Sequence, residues 1–266
     1  MVPSRSASSR WRVEPGHRVD LVQLDPASTE GAPGAKEETE AAIPALVEEL
    51  SGLQDRLWAE ATRSVLVVLQ AMDAAGKDGT IKHVFRGVNP QGTRVSSFKQ
   101  PTALELAHDF LWRVHQAAPR AGEIAIFNRS HYEDVLVTRV HGLVSEATWK
   151  ARYELINSFE ALLAHGGTTV IKLFLHISKA EQEKRFEARL NEPDKRWKFQ
   201  PGDLAEREHW DAYQAAYADA LHATSTHDAP WYVVPANHKW YRNWVVSRIL
   251  IDTLHGIDPQ YPKPRV

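Results

Sequence analysis

Val65-Leu66-Val67-Val68-Leu69 runs directly into Gln70-Ala71-Met72-Asp73-Ala74-Ala75-Gly76-Lys77-Asp78-Gly79-Thr80. The first five residues form a short continuous apolar run, the pattern of a strand covered on both faces. The rest is small and polar, and it leads into a helical pattern over roughly 76–88. In an open parallel sheet, ligands bind beyond the carboxyl ends of strands, which is where this turn falls. The small residues Ala74, Ala75 and Gly76 let backbone N–H groups approach a phosphate closely. The helix N-terminus adds its positive end, and Lys77 adds a full charge. The strict phosphate-loop pattern is not met, because Ala71 replaces its first glycine and Asp78 replaces the magnesium-holding Ser or Thr. A plainer reading has Gly76 simply turning the chain into a helix. Asp73 weakens that reading: a carboxylate inside a phosphate cradle repels the ligand unless it holds a cation, which makes Asp73 a candidate magnesium anchor.

Working outward, apolar runs recur at Ile124–Phe127, Val170–Ile177 and Trp231–Val234, with a weaker one at Arg94–Phe98. Helical patterns over roughly 102–117, 145–165, 178–191, 203–224 and 239–256 separate or follow them. Upstream, Ile43, Leu46, Val47, Leu50, Leu53 and Leu57 recur at helical spacing. Strands alternating with helices predict one α/β domain built on a parallel sheet. Residues before Lys36 lack periodicity and are punctuated by Gly31, Pro33 and Gly34, as in a tail or linker. The expected organisation is a tail over 1–37, a catalytic domain over 38–258 and a short C-terminal tail over 259–266.

With 266 residues, 43 % of them hydrophobic, the chain can bury a sizeable core. No stretch approaches the roughly 18 apolar residues of a membrane span, and Met1–Trp11 lacks the apolar centre of a secretory signal. Cysteine is absent, which excludes disulfides and thiolate metal sites. The cytoplasm is the expected compartment. The net charge of −2 hides a segregation. Residues 30–60 hold eight acids and two bases, 77–99 five bases and one acid, and 184–198 six bases and three acids. Basic segments that converge in the fold make a local groove for a polyanion; otherwise they are solvated helix faces.

Two further segments carry chemistry. Ile124-Ala125-Ile126-Phe127 ends in Asn128-Arg129-Ser130-His131-Tyr132-Glu133-Asp134. Phosphate-loop enzymes usually place a magnesium-binding Asp at such a strand end; Asn128 stands there instead, a neutral ligand at best. Arg129 suits a phosphate clamp or the charge of a transferring phosphoryl group. Glu133 and Asp134 restore negative charge and are candidates for metal binding or acceptor orientation, unless they only favour a helix N-terminus. Further on, Arg185 and Arg189 lie four apart on one helix face. After Pro193 come Lys195, Arg196 and Lys198 around Trp197, a pattern that suits a lid over about 178–203.

On these segments, together with Val234-Pro235-Ala236-Asn237-His238-Lys239-Trp240-Tyr241, the sequence resembles the polyphosphate kinase 2 family, class III branch, over about residues 38–258. The resemblance implies a core like that of thymidylate kinase, a five-stranded parallel sheet with a helical lid, and a basic channel leading polyphosphate to Lys77. It implies phosphate contacts from Lys77, Lys82, Arg129, Arg185 and Arg189. The wider phosphate-binding set it suggests is Ala74, Ala75, Gly76, Asp78, Gly79, Thr80, His83, Arg86, Asn128, Lys195 and Lys198. Asp73 matches the acid expected to hold magnesium, with manganese as a substitute, and Asp134 is a second candidate metal ligand. Asp73, Lys77, Arg129 and Glu133 form the expected catalytic set. ADP, ATP and AMP are the expected nucleotides, and a homodimer or homotetramer the expected assembly. Asn128 departs from the Asp-Arg-Ser of other branches, which leaves the metal shell open.

The expected reaction is in-line transfer of a terminal phosphoryl group from polyphosphate to ADP and AMP. Two other functions fit the same fold: a nucleoside monophosphate kinase using ATP, and a binding module that senses nucleotide or polyphosphate. Lys82, Arg86 and Lys99 favour a long polyanion, and the Asp73, Lys77 and Arg129 set argues against a mere sensor. No nucleic-acid-binding motif is present.

Overall fold

The computed structural model describes residues 7–198 and 202–264. Its strands are β1 (Arg12–Val13), β2 (Ser64–Ala71), β3 (Thr93–Ser97), β4 (Ile124–Asn128), β5 (Thr168–His176) and β6 (Trp231–Pro235). The α-helices are α1 (Lys36–Glu60), α2 (Lys77–Val84), α3 (Ala103–Leu106), α4 (Trp112–Gln116), α5 (Glu133–Val140), α6 (Glu146–His165), α7 (Lys179–Asn191), α8 (Gly202–Glu208), α9 (Trp210–Thr224) and α10 (Lys239–Ile257). The strands form one sheet in the order β1-β6-β5-β2-β4-β3.

The five strands read as apolar runs pair in parallel, with β2 between β4 and β5 and with Val65 opposite both Ile124 and Thr169. Every residue of β2 is buried, so helices must cover both faces, which is why its sequence is continuous rather than alternating. One group of helices contains α1, α2 and α10, and the other α5, α6 and α9. Leu46, Leu50, Leu53 and Leu57 of α1 are the buried stripe foreseen from their spacing.

The sheet has six strands, not five. The sixth, β1, lies antiparallel on β6 with Arg12 opposite Tyr232. Two residues are too few to show a periodicity. The segment read as a tail packs on the body: Val13, Val19 and Leu21 are buried. The amide of Asn237 donates to Pro26 O at 3.0 Å, the His176 ring bonds Leu24 O at 3.0 Å, and Tyr241 donates to Glu30 O. These tethers are backbone carbonyls in irregular chain, which leave no hydrophobic pattern to read. The helix expected over 102–117 is two short helices, and that over 203–224 is α8 and α9. Among the described residues no helix is long and apolar enough to cross a membrane.

Candidate active site

The turn after β2 takes two left-handed residues in three, Ala74 at φ 60° and Gly76 at φ 105°. Such alternation gathers successive N–H groups into an anion-binding concavity. Gly76 is required twice over: its φ disfavours a side chain, and a Cβ there would sit 2.1 Å from Arg242 Nη1. In the first turn of α2, the amides of Lys77, Asp78 and Gly79 have no carbonyl one turn earlier to bond. The amide of Ala75 is committed to Met72 O at 3.2 Å, and the amide of Thr80 to Gly76 O at 2.9 Å. The Thr80 hydroxyl, fully buried, also donates to Gly76 O at 3.1 Å. Thr80 therefore locks the helix start through both its amide and its hydroxyl.

Arg129, at φ 61° just past β4, swings its guanidinium to the same place. Its Nη2 donates to Asp73 Oδ1 at 3.0 Å, and its Nη1 lies 3.9 Å from Glu133 Oε2. Lys77 Nζ reaches back over the loop to donate to Ala71 O at 3.1 Å. Burial pushes the Lys77 ammonium down, as does the charge of Arg129, while Asp73, Glu133 and Asp78 pull it up. Burial pushes the Glu133 carboxyl up, against the pull of Arg129 and Lys77. Asp73, Lys77, Arg129 and Glu133 thus form one coupled cluster at the carboxyl ends of adjacent strands. Asn128 Nδ2 donates to Asp78 Oδ1 at 2.7 Å, so these two departures from the usual pattern bind each other and tie β4 to α2.

A cleft of about 380 Å³ opens beside the cluster. Asp73, Arg129 and Glu133 line it together with Leu136, Val137, Gln182, Tyr213 and Tyr217. The sequence reading named none of these last five as site residues. Gln182 Nε2 donates to Asp73 O at 2.9 Å, and Tyr213 donates to Glu206 Oε2 at 2.8 Å. Tyr213 and Tyr217, one turn apart on α9, were legible only as a core stripe.

Several expected contacts lie elsewhere. Arg185 makes five hydrogen bonds: Nε to Glu181, Nη1 to Ala74 O and Ala75 O, and Nη2 to Ala236 O and Asn237 O, all between 2.7 and 3.0 Å. A guanidinium has five N–H groups, so none remains for a phosphate. Arg189 sits over the Phe186 ring, 5.4 Å from its centroid. Asp134 turns away from Asp73 into a separate cleft of about 130 Å³, with Arg113 and Arg152 at 3.9 and 3.7 Å from its carboxylate. Asp134 is thus paired with Arg113 and Arg152 and not placed beside Asp73. Lys82 and His83 are exposed on α2, and Arg86 is exposed in the turn after it. Burial and then the charges of Lys82, Arg242 and Arg86 push the His83 imidazole down. The side chains of Lys195 and Lys198 lie outside the described residues. Arg242, beside the quoted 234–241 segment, was not singled out; an arginine amid the aromatic and apolar residues of α10 was its only signal.

A parallel sheet whose central strand ends in an N–H-rich loop, with a carboxylate and a guanidinium joined across neighbouring strand ends, defines a phosphate-handling α/β protein. The family model for Polyphosphate kinase 2 matches residues 34–262, and the chain belongs to that family. It is 56 % identical to the AMP/ADP-polyphosphate phosphotransferase of Meiothermus ruber over 96 % of each chain. It is 45 % identical to the ADP-polyphosphate phosphotransferase of Rhodopseudomonas palustris, covering 96 % of this chain and 92 % of the relative. The crystal structure of Polyphosphate Kinase 2 from Arthrobacter aurescens TC1 superposes with a TM-score of 0.95 at 45 % identity, covering 99 % of this chain and 94 % of that one.

Proposed function

We propose that this protein is a polyphosphate kinase that moves the terminal phosphoryl group of inorganic polyphosphate to ADP and to AMP, on a core of the thymidylate kinase type. The observation that carries the reading is the 3.0 Å bond from Arg129 to Asp73, which joins the ends of β2 and β4 with Lys77 and Glu133 in the same cluster. The relatives' names supply the acceptors, and that of the Meiothermus ruber protein includes both AMP and ADP.

The donor chain would run past the exposed Lys82, His83 and Arg86 and end at the loop amides and Lys77. The nucleotide would enter the cleft with its base against Leu136, Val137, Tyr213 and Tyr217. Magnesium suits the residues present. It is typically held by one or two carboxylates plus substrate phosphates, and among the described residues there is no group of three or more potential protein ligands. Asp73, with Glu133 across Arg129, would hold it or manganese, and the ion would neutralise charge on the donor and acceptor oxygens. Lys77 and Arg129 face the equatorial oxygens of the transferred group. They are preorganised by Ala71 O and Asp73 in a site partly shielded from water, where such charges act strongly. The loop and the cleft walls hold donor and acceptor in line, and positioning supplies much of the acceleration.

Mixing the protein with magnesium, polyphosphate and either ADP or AMP should yield ATP or ADP respectively. Phosphorylation of AMP by ATP but not by polyphosphate would instead make it a nucleoside monophosphate kinase.

A further inference from the structure

A phosphate loop turns its N–H groups toward the anion, so its carbonyl oxygens point the other way and need donors of their own. Two buried arginines provide them. Arg185 of α7 bonds Ala74 O and Ala75 O, and it also bonds Ala236 O and Asn237 O, bracing the loop against the end of β6. Arg242 of α10 donates from Nη1 to Ala75 O at 3.1 Å, and from Nε and Nη2 to Asn243 Oδ1 at 3.2 and 2.8 Å.

The two differ in counter-charge. Arg185 has Glu181 at 2.8 Å. Arg242 is only 2 % exposed and has no carboxylate within ion-pair distance among the described residues. Its three bonds leave two of its five N–H groups without an acceptor there. Those nitrogens press on the start of α2: a Cβ on Gly76 would meet Nη1 at 2.1 Å, and one on Gly79 would meet Nη2 at 3.5 Å. Burial, and then the charge of Arg185, push Arg242 down to about 9. A buried charge with no partner is costly, and it is retained where something else supplies the partner.

We propose that the phosphates of the donor are the counter-charge of Arg242, which holds the loop through Ala75 and acts on the anion at the start of α2. Arg242 is thus a positioning residue whose charge is matched only in the donor complex. This rests on the reading of the loop as the polyphosphate end of the site.

The test is thermal unfolding of the full chain with and without inorganic tripolyphosphate, in wild type, Arg242→Met and Arg242→Lys. Wild type should be stabilised by the anion. Arg242→Met should bind tripolyphosphate at least tenfold more weakly, about 1.4 kcal/mol less stabilisation at saturating ligand. Its KM for polyphosphate should rise while its KM for ADP holds. Arg242→Lys keeps the charge but loses the fork, and should bind a few-fold more weakly. A merely structural arginine would shift the melting temperature equally with and without anion, which would overturn the proposal. If Arg242→Met does not fold, Arg242→Lys decides, and an unchanged tripolyphosphate affinity in that variant overturns it. No stabilisation of wild type would remove the loop reading itself, and this inference with it.

Discussion

Two regions of this molecule bury charge, and they do so in opposite ways. Behind the sheet, Lys172 of β5 and Glu160 of α6 are almost wholly buried and lie 2.5 Å apart. Lys172 also donates to Tyr132 OH at 3.0 Å and to Thr224 O at 2.6 Å. Glu160 Oε1 accepts from Tyr132 at 2.9 Å and lies 3.2 Å from His131 Nε2. Burial pushes the Glu160 carboxyl up, but Lys172 and His131 outweigh it and the net shift is down. Burial pushes the His131 imidazole down, against the pull of Glu160. The charges of that cluster are matched within the protein, although His131 Nδ1 has no hydrogen-bond partner. At the phosphate loop, by contrast, Arg242 is equally buried and Lys77 half-buried, yet their positive charge is only partly matched. The first region fixes structure, tethering His131 and Tyr132 in the segment that carries Arg129 and Glu133. In the second, on the reading proposed above, a ligand would bring the missing negative charge. On that reading, buried charge without a partner in the protein marks the site better than buried charge as such.

The largest effect should come from breaking the charge-matched cluster. Lys172→Met leaves Glu160 buried and unpaired, a change that typically costs about 3–5 kcal/mol. Denaturant unfolding should show this loss, and Lys172→Met combined with Glu160→Leu should recover most of it. The tripolyphosphate-induced stabilisation of the double variant should match wild type. If the double variant loses the anion response, the separation between the two regions is wrong.

Lys77→Ala tests the other side. Removing a donor aimed at developing charge typically costs about 10²–10³ in kcat. The folded protein without ligand should be no less stable, because burial and Arg129 already disfavour the Lys77 charge. Turnover assays and melting curves on the same preparation check both statements. Near-native turnover would show that the cradle lies elsewhere, and a large loss of stability would place Lys77 with Lys172 as a structural charge.

The contrast also explains what could be read from the sequence. The β2 run and the loop after it were legible because burial on both faces leaves an unbroken apolar pattern, and a phosphate turn needs small residues before a lysine. Asp73, Lys77, Arg129 and Glu133 were legible because each lies in the polar stretch between an apolar strand and the body of the next helix. The arginines were harder. Arg185 looked like a phosphate ligand, since helical spacing shows which face it shares but not that five carbonyl and carboxylate oxygens await it. Arg242 was invisible because its partners, Ala75 O and Asn243, are a backbone atom and a neighbour. β1 and the tethered stretch before α1 were missed for a similar reason: their contacts run through main-chain groups that every residue carries.

Adjacent residues sharpen the comparison further. Asp134 belongs with the structural charges, facing Arg113 of α4 and Arg152 of α6 in a cleft also lined by Glu105, His108 and Asp109. Burial raises its carboxyl from 3.8 to about 6, against the pull of Arg152 and Arg113 and with a push from Glu133. A carboxyl raised in the folded state lends stability in its protonated form. That stability is full below about 3.8 and lost as pH rises through about 6. The span is worth at most about 3 kcal/mol at 1.36 kcal/mol per unit. Asp134→Asn should flatten the stability profile between pH 4 and 6.5 and be no less stable than wild type at pH 8. A markedly less stable variant at pH 8 would mean that the two guanidiniums, not burial, govern this carboxylate.

Glu133, one residue earlier, should behave as part of the ligand's site, with a smaller and more selective effect. Its carboxylate lies 3.9 Å from Arg129 and within the field of Lys77, on the wall of the nucleotide cleft. AMP carries one phosphate fewer than ADP, so it leaves more of the positive charge of Arg129 and Lys77 unmatched. An ionised carboxyl at 133 would make up that difference, and it would help hold the magnesium for which the shorter acceptor offers fewer oxygens. ADP brings its own charge and needs Glu133 less. Glu133→Gln keeps the shape and removes the charge, so it should slow AMP phosphorylation roughly tenfold more than ADP phosphorylation, a difference of about 1.4 kcal/mol. Asp134→Asn, facing the other cleft, should leave the ratio alone. Initial rates with each nucleotide decide the matter. If the ratio is unaltered in Glu133→Gln, the residue only complements the N-terminus of α5, a role typically worth about 0.3–1 kcal/mol of stability. The tolerance for AMP must then come from the tyrosine-lined end of the cleft.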